Sequence, residues 1–83
     1  MPYHLHAIII HDGSAEMGHY YTFIFDQFKK VWWKLNDNMV REEAEEVVME
    51  EAKGGFGYRS ASHLFYIKQE IVDMMEHRQV PLF

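Results

Sequence analysis

Apolar positions alternate in short blocks along the first half of the chain and take up a helical spacing only afterwards. Residues 3–11 carry Leu5, Ala7 and the run Ile8-Ile9-Ile10. Such a β-branched stretch, apolar on both alternating faces, predicts a central, covered strand. Residues 12–18 form a loop, with turn formers at both ends. Residues 19–25 are aromatic and β-branched and predict a second strand, and residues 26–29 make the turn that follows. A third strand covers residues 31–36, with Trp32 and Trp33 on opposite faces, one in the core and one covered by a helix or a further partner. Asp37-Asn38 breaks it, and Met39-Val40 adds a short extended piece.

The period then changes. Over residues 42–53, Ala44, Val47, Val48 and Ala52 fall on one helical stripe, while glutamates cover the rest as a solvated face. Acidic residues at its start suit the positive end of the helix dipole, and Gly54-Gly55 is a stop signal. Residues 55–60 read as loop and residues 61–68 as a last strand around Leu64-Phe65-Tyr66-Ile67. Residues 69–77 predict a short terminal helix, with Ile71, Met74 and Met75 packing on one side and Pro81 ending it. The order strand, strand, strand, helix, strand, helix is an α+β pattern on a mostly antiparallel sheet.

Composition narrows the picture. Eighty-three residues make one small domain, residues 1–83, or part of a larger one. The chain is 48% hydrophobic and 16% aromatic. That fits either a compact core or a subdomain whose apolar faces expect more protein. A net charge of −5, from 13 acidic residues against 8 Lys and Arg, argues against nucleic acid as a partner and favours one of basic character. With no cysteine there are no disulfides and no thiolate ligands. No leader-like segment is visible, and no apolar run approaches the roughly 18 residues that cross a bilayer. The expectation is a soluble protein of the cytoplasm or nucleus with no membrane partner.

The chemistry concentrates in Gly18-His19-Tyr20 and Trp32-Trp33-Lys34-Leu35-Asn36-Asp37. With residues 26–29 as a four-residue loop, Phe25 opposes Lys30, Phe23 opposes Trp32, Tyr21 opposes Lys34 and His19 opposes Asn36. Opposed residues share a face, with Cβ atoms about 4.5–5.5 Å apart. An amide oxygen there holds an imidazole N–H and fixes its tautomer. A histidine oriented by asparagine is two thirds of a Cys-His-Asn centre, and the third member is missing from this chain. Asp37, next along, is expected on the other face, which favours Asn36 as the orienting residue. Asn36-Asp37 also serves as turn chemistry. Six histidines raise the question of a metal. His4 and His6 share a strand face, but His11 lies on the opposite one with no carboxylate at a matching offset, so no metal site is expected.

Four motifs in order carry a family resemblance. They are Tyr3, Leu5, Ala7, His11 and Gly13; then Gly18-His19-Tyr20; then Trp32, Leu35, Asn36, Asp37 and Val40; then Ala61, Leu64 and Tyr66. The chain resembles the C-terminal, histidine-box part of the ubiquitin-specific protease catalytic domain, a papain-like cysteine protease, with the match strongest over residues 3–67. Tyr3-His4-Leu5-His6-Ala7 and Gly57-Tyr58-Arg59-Ser60-Ala61-Ser62 are similar to the branch of large ubiquitin- and SUMO-chain-interacting deubiquitinases whose third catalytic member is Asn. Leu35 stands where the family usually has an aromatic.

The resemblance implies a cysteine-type deubiquitinase that cleaves after the C-terminal glycine of ubiquitin, with this segment forming its palm-type sheet. It implies His19 as general base, Asn36 as its orienter and Asp37 as a support for the oxyanion or a water. The loop of residues 12–18 gates the channel for the ubiquitin tail, and His11, Gly18 and Tyr20 line it. At Gly18 the missing Cβ lets a diglycine tail approach closely. No cofactor is implied. The implied partners are ubiquitin or its conjugates and an N-terminal half carrying the cysteine box. The cysteine box and the ubiquitin-gripping fingers are absent from this chain, so it is expected to be inactive alone. The alternative is a non-catalytic module that keeps the sheet to bind a ubiquitin tail or another peptide. A papain-like hydrolase for a related modifier is a third reading, against which the long match argues.

Overall fold

The computed structural model describes residues 2–13, 17–54 and 59–77. The elements in chain order are β1 (Tyr3–Asp12), β2 (His19–Asp26), β3 (Val31–Asn36), β4 (Met39–Glu43), α1 (Glu45–Lys53), β5 (Arg59–Lys68) and α2 (Gln69–Glu76). Residues 14–16 of the expected 12–18 loop, residues 55–58 of the expected 55–60 loop and the stop at Pro81 lie outside the described residues. The strands form one antiparallel sheet in the order β4-β3-β2-β1-β5. The architecture is the α+β one read from the sequence.

Alternation sorts the sheet into two faces. Ile8, Ile10, Tyr21, Phe23 and Trp32 share one face, and together with Val48 of α1 they make the buried core, flanked by Leu5, Phe25, Met49, Ala52 and Ala61. Ile8, Ile10, Phe23 and Val48 are fully buried. On the other face Ala7, Ile9 and His11 are half-buried, so β1 is fully covered on one side only. Trp32 is the core tryptophan. Trp33, on the second face, is half-buried and donates its indole N–H to Asp26 at 3.2 Å.

Several expectations shift. Glu42 and Glu43 belong to β4, not to the helix, because β4 pairs with β3 along its whole length; Ala44 then becomes the helix N-cap. Arg59 and Ser60, expected in a loop, are strand residues paired with Asp12 and His11. Glu51, expected on the solvated face of the helix, is buried. It lies three residues after Val48, on the same stripe, and its carboxylate accepts the Tyr21 hydroxyl. At the other end of the sheet α2 buries Val72, and its Glu76 meets Lys30 at 3.3 Å.

Candidate active site

The site begins with the turn between β2 and β3. Asp26 ends β2 and caps the turn itself: Oδ1 accepts the backbone N–H groups of Phe28 and Lys29, both at 3.0 Å. The Lys30 amide donates to the Asp26 carbonyl at 2.7 Å, and Lys30 takes the left-handed conformation (φ 61°) that closes the turn. The loop is therefore residues 27–30, one position later than expected, and Asp26 pairs with Val31. Each rung moves by two residues: Phe25 opposes Trp32 and Phe23 opposes Lys34. A slip of one residue would have exchanged the faces, but a slip of two restores them. His19 is thus not directly across from Asn36, but diagonal to it on the same face.

That diagonal is within side-chain reach. His19 Nε2 lies 2.7 Å from Asn36 Oδ1. With the amide oxygen as acceptor, Nε2 carries the proton and Nδ1 keeps the lone pair, which is the tautomer a general base at Nδ1 requires. Asp37 departs from the expectation that it faces away. β3 ends at Asn36, and Asp37 adopts φ 54° in the turn to β4, which brings its Oδ2 to 4.0 Å from the same Nε2. The His19 side chain keeps 48% of its surface open to solvent, so a reacting partner has access to the ring.

His11 and Tyr20 pair across β1 and β2 on the face opposite to His19. Their rings stack at 4.7 Å between centroids, tilted by 30°. His11 Nε2 is buried without a hydrogen-bond partner among the described residues, while Tyr20 is exposed. Gly18 precedes His19 and is exposed. The close backbone approach in this region is between Gly13 and Gly18. Gly13 has φ 110°, and a Cβ there would stand 3.1 Å from the Gly18 Cα.

Two further features surround His19. Asp12 lies directly opposite it across β1 and β2, and Arg59 lies directly opposite Asp12 across β1 and β5. Arg59 Nε donates to Asp12 Oδ2 at 3.1 Å, and this bond holds the guanidinium still more firmly protonated. Arg59, Asp12, His19 and Asn36 thus form a polar row across four strands. One rung inward, Tyr21 is buried with Lys34 Nζ 4.5 Å from its ring centroid. Burial, reinforced by the hydrogen bond to Glu51, pushes the Tyr21 phenol above the ordinary tyrosine range. Asp12 continues the alternation of Ile8 and Ile10, which is the signal that would have placed it on the His19 face.

Among the described residues no group of three His, Asp or Glu side chains is arranged to hold a metal. His4 instead hydrogen-bonds the Gln69 side chain, and a bulge between Leu5 and Ala7 breaks the alternation that put His4 and His6 on one face.

Comparison with known proteins places the chain in a family. The family model described as ubiquitin carboxyl-terminal hydrolase matches residues 1–66. Ubiquitin carboxyl-terminal hydrolase 28 of Gallus gallus is 44% identical over 71 residues, 86% of this chain and 7% of that protein. The Homo sapiens protein of the same name is 39% identical over 71 residues, with the same two shares. Ubiquitin carboxyl-terminal hydrolase 47 of Drosophila melanogaster is 38% identical over 80 residues, 94% of this chain and 5% of the relative. The chain thus spans a small part of the length of these relatives. With the family model covering most of its length, and with relatives this similar, the chain belongs to the ubiquitin carboxyl-terminal hydrolase family.

Proposed function

We propose that this chain supplies the base-bearing part of a thiol-dependent ubiquitin hydrolase, with His19 as general base and Asn36 as its orienting residue. The observation that carries the reading is the 2.7 Å contact between His19 Nε2 and Asn36 Oδ1, which leaves Nδ1 as the unprotonated nitrogen on a half-open ring. In the proposed reaction Nδ1 takes the proton of a cysteine thiol supplied by another part of the protein. The thiolate attacks the carbonyl after the terminal glycine of ubiquitin, and the amine leaves with the proton from His19. Water, deprotonated by the same nitrogen, then releases the thioester. Asp37 is proposed to support the oxyanion or this water. His11, Gly18 and Tyr20 are proposed to line the path of the ubiquitin tail. Ubiquitin or its conjugates are the proposed substrates, and the cysteine-bearing half is the proposed partner, in the cytoplasm or nucleus.

The chain has no cysteine, so it cannot form the thioester, and the 83 residues alone should not hydrolyse a ubiquitin–fluorophore conjugate. Mixing them with a cysteine-box half should restore turnover, and His19→Ala should then lower it by about 10²–10⁴-fold. Turnover by the chain alone, or undiminished turnover with His19→Ala in the mixture, would refute the assignment. Chemical-shift changes with ubiquitin at residues 12–20 and Asn36, without restored turnover, would instead mark a binding module.

A further inference from the structure

We propose that Arg59 is a positioning residue for His19: by occupying the Asp12 carboxylate it leaves Asn36 as the imidazole's partner and Nδ1 as its unprotonated nitrogen. The inference rests on reading His19 as the base. Its grounds are the register and the ion pair. His19 sits between two neighbouring strands. On the β3 side Asn36 accepts its Nε2 proton at 2.7 Å. On the β1 side Asp12 is its directly opposed partner, at a Cβ separation of about 4.5–5.5 Å for such pairs. A free carboxylate at that place attracts a ring proton more strongly than a neutral amide does. It would draw a proton onto the nitrogen the base needs vacant. Arg59 prevents this by donating to Asp12 from the far side at 3.1 Å, so the Asp12 charge reaches His19 already compensated.

The other groups around the ring do not replace this function. Asp37 stands 4.0 Å from Nε2, on the same side as Asn36, and so favours the same tautomer. Tyr21, 6.3 Å from His19 between ring centroids, is a neutral phenol whose hydroxyl is committed to Glu51 of α1. The Lys34 ammonium lies over the Tyr21 ring, one rung inward. Arg59 is the cation that meets Asp12 in the His19 row.

The test is a pH titration of the chain with ¹⁵N-labelled histidine, since the two ring-nitrogen shifts report tautomer and protonation together. Arg59→Gln should raise the His19 midpoint by about half to one pH unit, a three- to tenfold gain in proton affinity, and increase the Nδ1–H tautomer. Arg59→Lys should keep most of the parental behaviour. The Asp12→Asn/Arg59→Gln double variant should return to it. Asp12→Asn alone, which leaves a bare guanidinium in the row, should move the midpoint down. An Arg59→Gln protein with a native amide spectrum and an unmoved His19 would overturn the proposal. So would a midpoint that is unmoved or raised by Asp12→Asn, a result that can be read even if Arg59→Gln fails to fold. These shifts need no thiol or substrate. Loss of the proposed hydrolase reading would appear in the reconstituted assay, and loss of this inference in the ring resonances.

Discussion

The imidazole of His19 has two acceptors for one proton, and the nearer one is neutral. Asn36 at 2.7 Å holds it, with Asp37 at 4.0 Å behind. Asn36→Ala should therefore hand the proton to Asp37 rather than free it. The tautomer should persist while the titration midpoint rises, because a carboxylate replaces an amide. Only Asn36→Ala/Asp37→Ala should leave both tautomers populated; ring ¹⁵N shifts measure each case. Tyr21 is the second residue with a sharp expectation. Tyr21→Phe strands the buried Glu51 carboxylate and should cost about 1–3 kcal/mol in urea unfolding, with Glu51→Gln costing less because its amide still accepts. The pH dependence has a definite sign. The folded Tyr21 pKa is raised by burial and by Glu51, so its contribution is complete below the unfolded value of about 10. Stability falls as pH rises from there, because the unfolded chain loses this proton first. Tyr21→Phe should flatten that fall by up to about 1.4 kcal/mol per pH unit. Glu51 is hard to see in sequence because it sits in a run of glutamates, although its spacing from Val48 marks it as inward-facing.

At the level of elements, Asp26 sets the frame of the hairpin. It accepts from two turn amides and from the Trp33 indole. Asp26→Ala should destabilise the chain by about 2–3 kcal/mol, read from thermal or urea unfolding, and should broaden amide signals on both sides of the turn. The strands and the stripe of α1 are legible from alternation and period, and so is the presence of a four-residue loop. Its placement is not, because Asp26 looks like loop chemistry while its backbone is still in the ladder. Arg59-Ser60 misleads in the same way: polar residues at the start of an edge strand resemble a loop until their partners, Asp12 and His11, are known. The same missing partner hides the Asp12–Arg59 pair.

For the molecule as a whole, the α+β order follows from local patterns, whereas the position of β5 beside β1 is a long-range pairing that no local pattern encodes. That pairing leaves β5 at the edge, with Leu64, Phe65 and Tyr66 each about half exposed. An apolar edge of this length favours self-association. Phe65→Lys should raise the concentration at which light scattering appears and leave the His19 resonances in place.

The hairpin carries one last consequence. Its ladder runs two residues away from the simplest count, yet the imidazole and the amide still meet, because a strand repeats its orientation every second residue. What must be conserved is therefore the parity of the pairing register, not the length of the connection. A residue added between Asp26 and Val31 can lengthen the loop and leave every pair in place. A change that slips the β2–β3 pairing itself by one residue turns the imidazole and the amide to opposite faces.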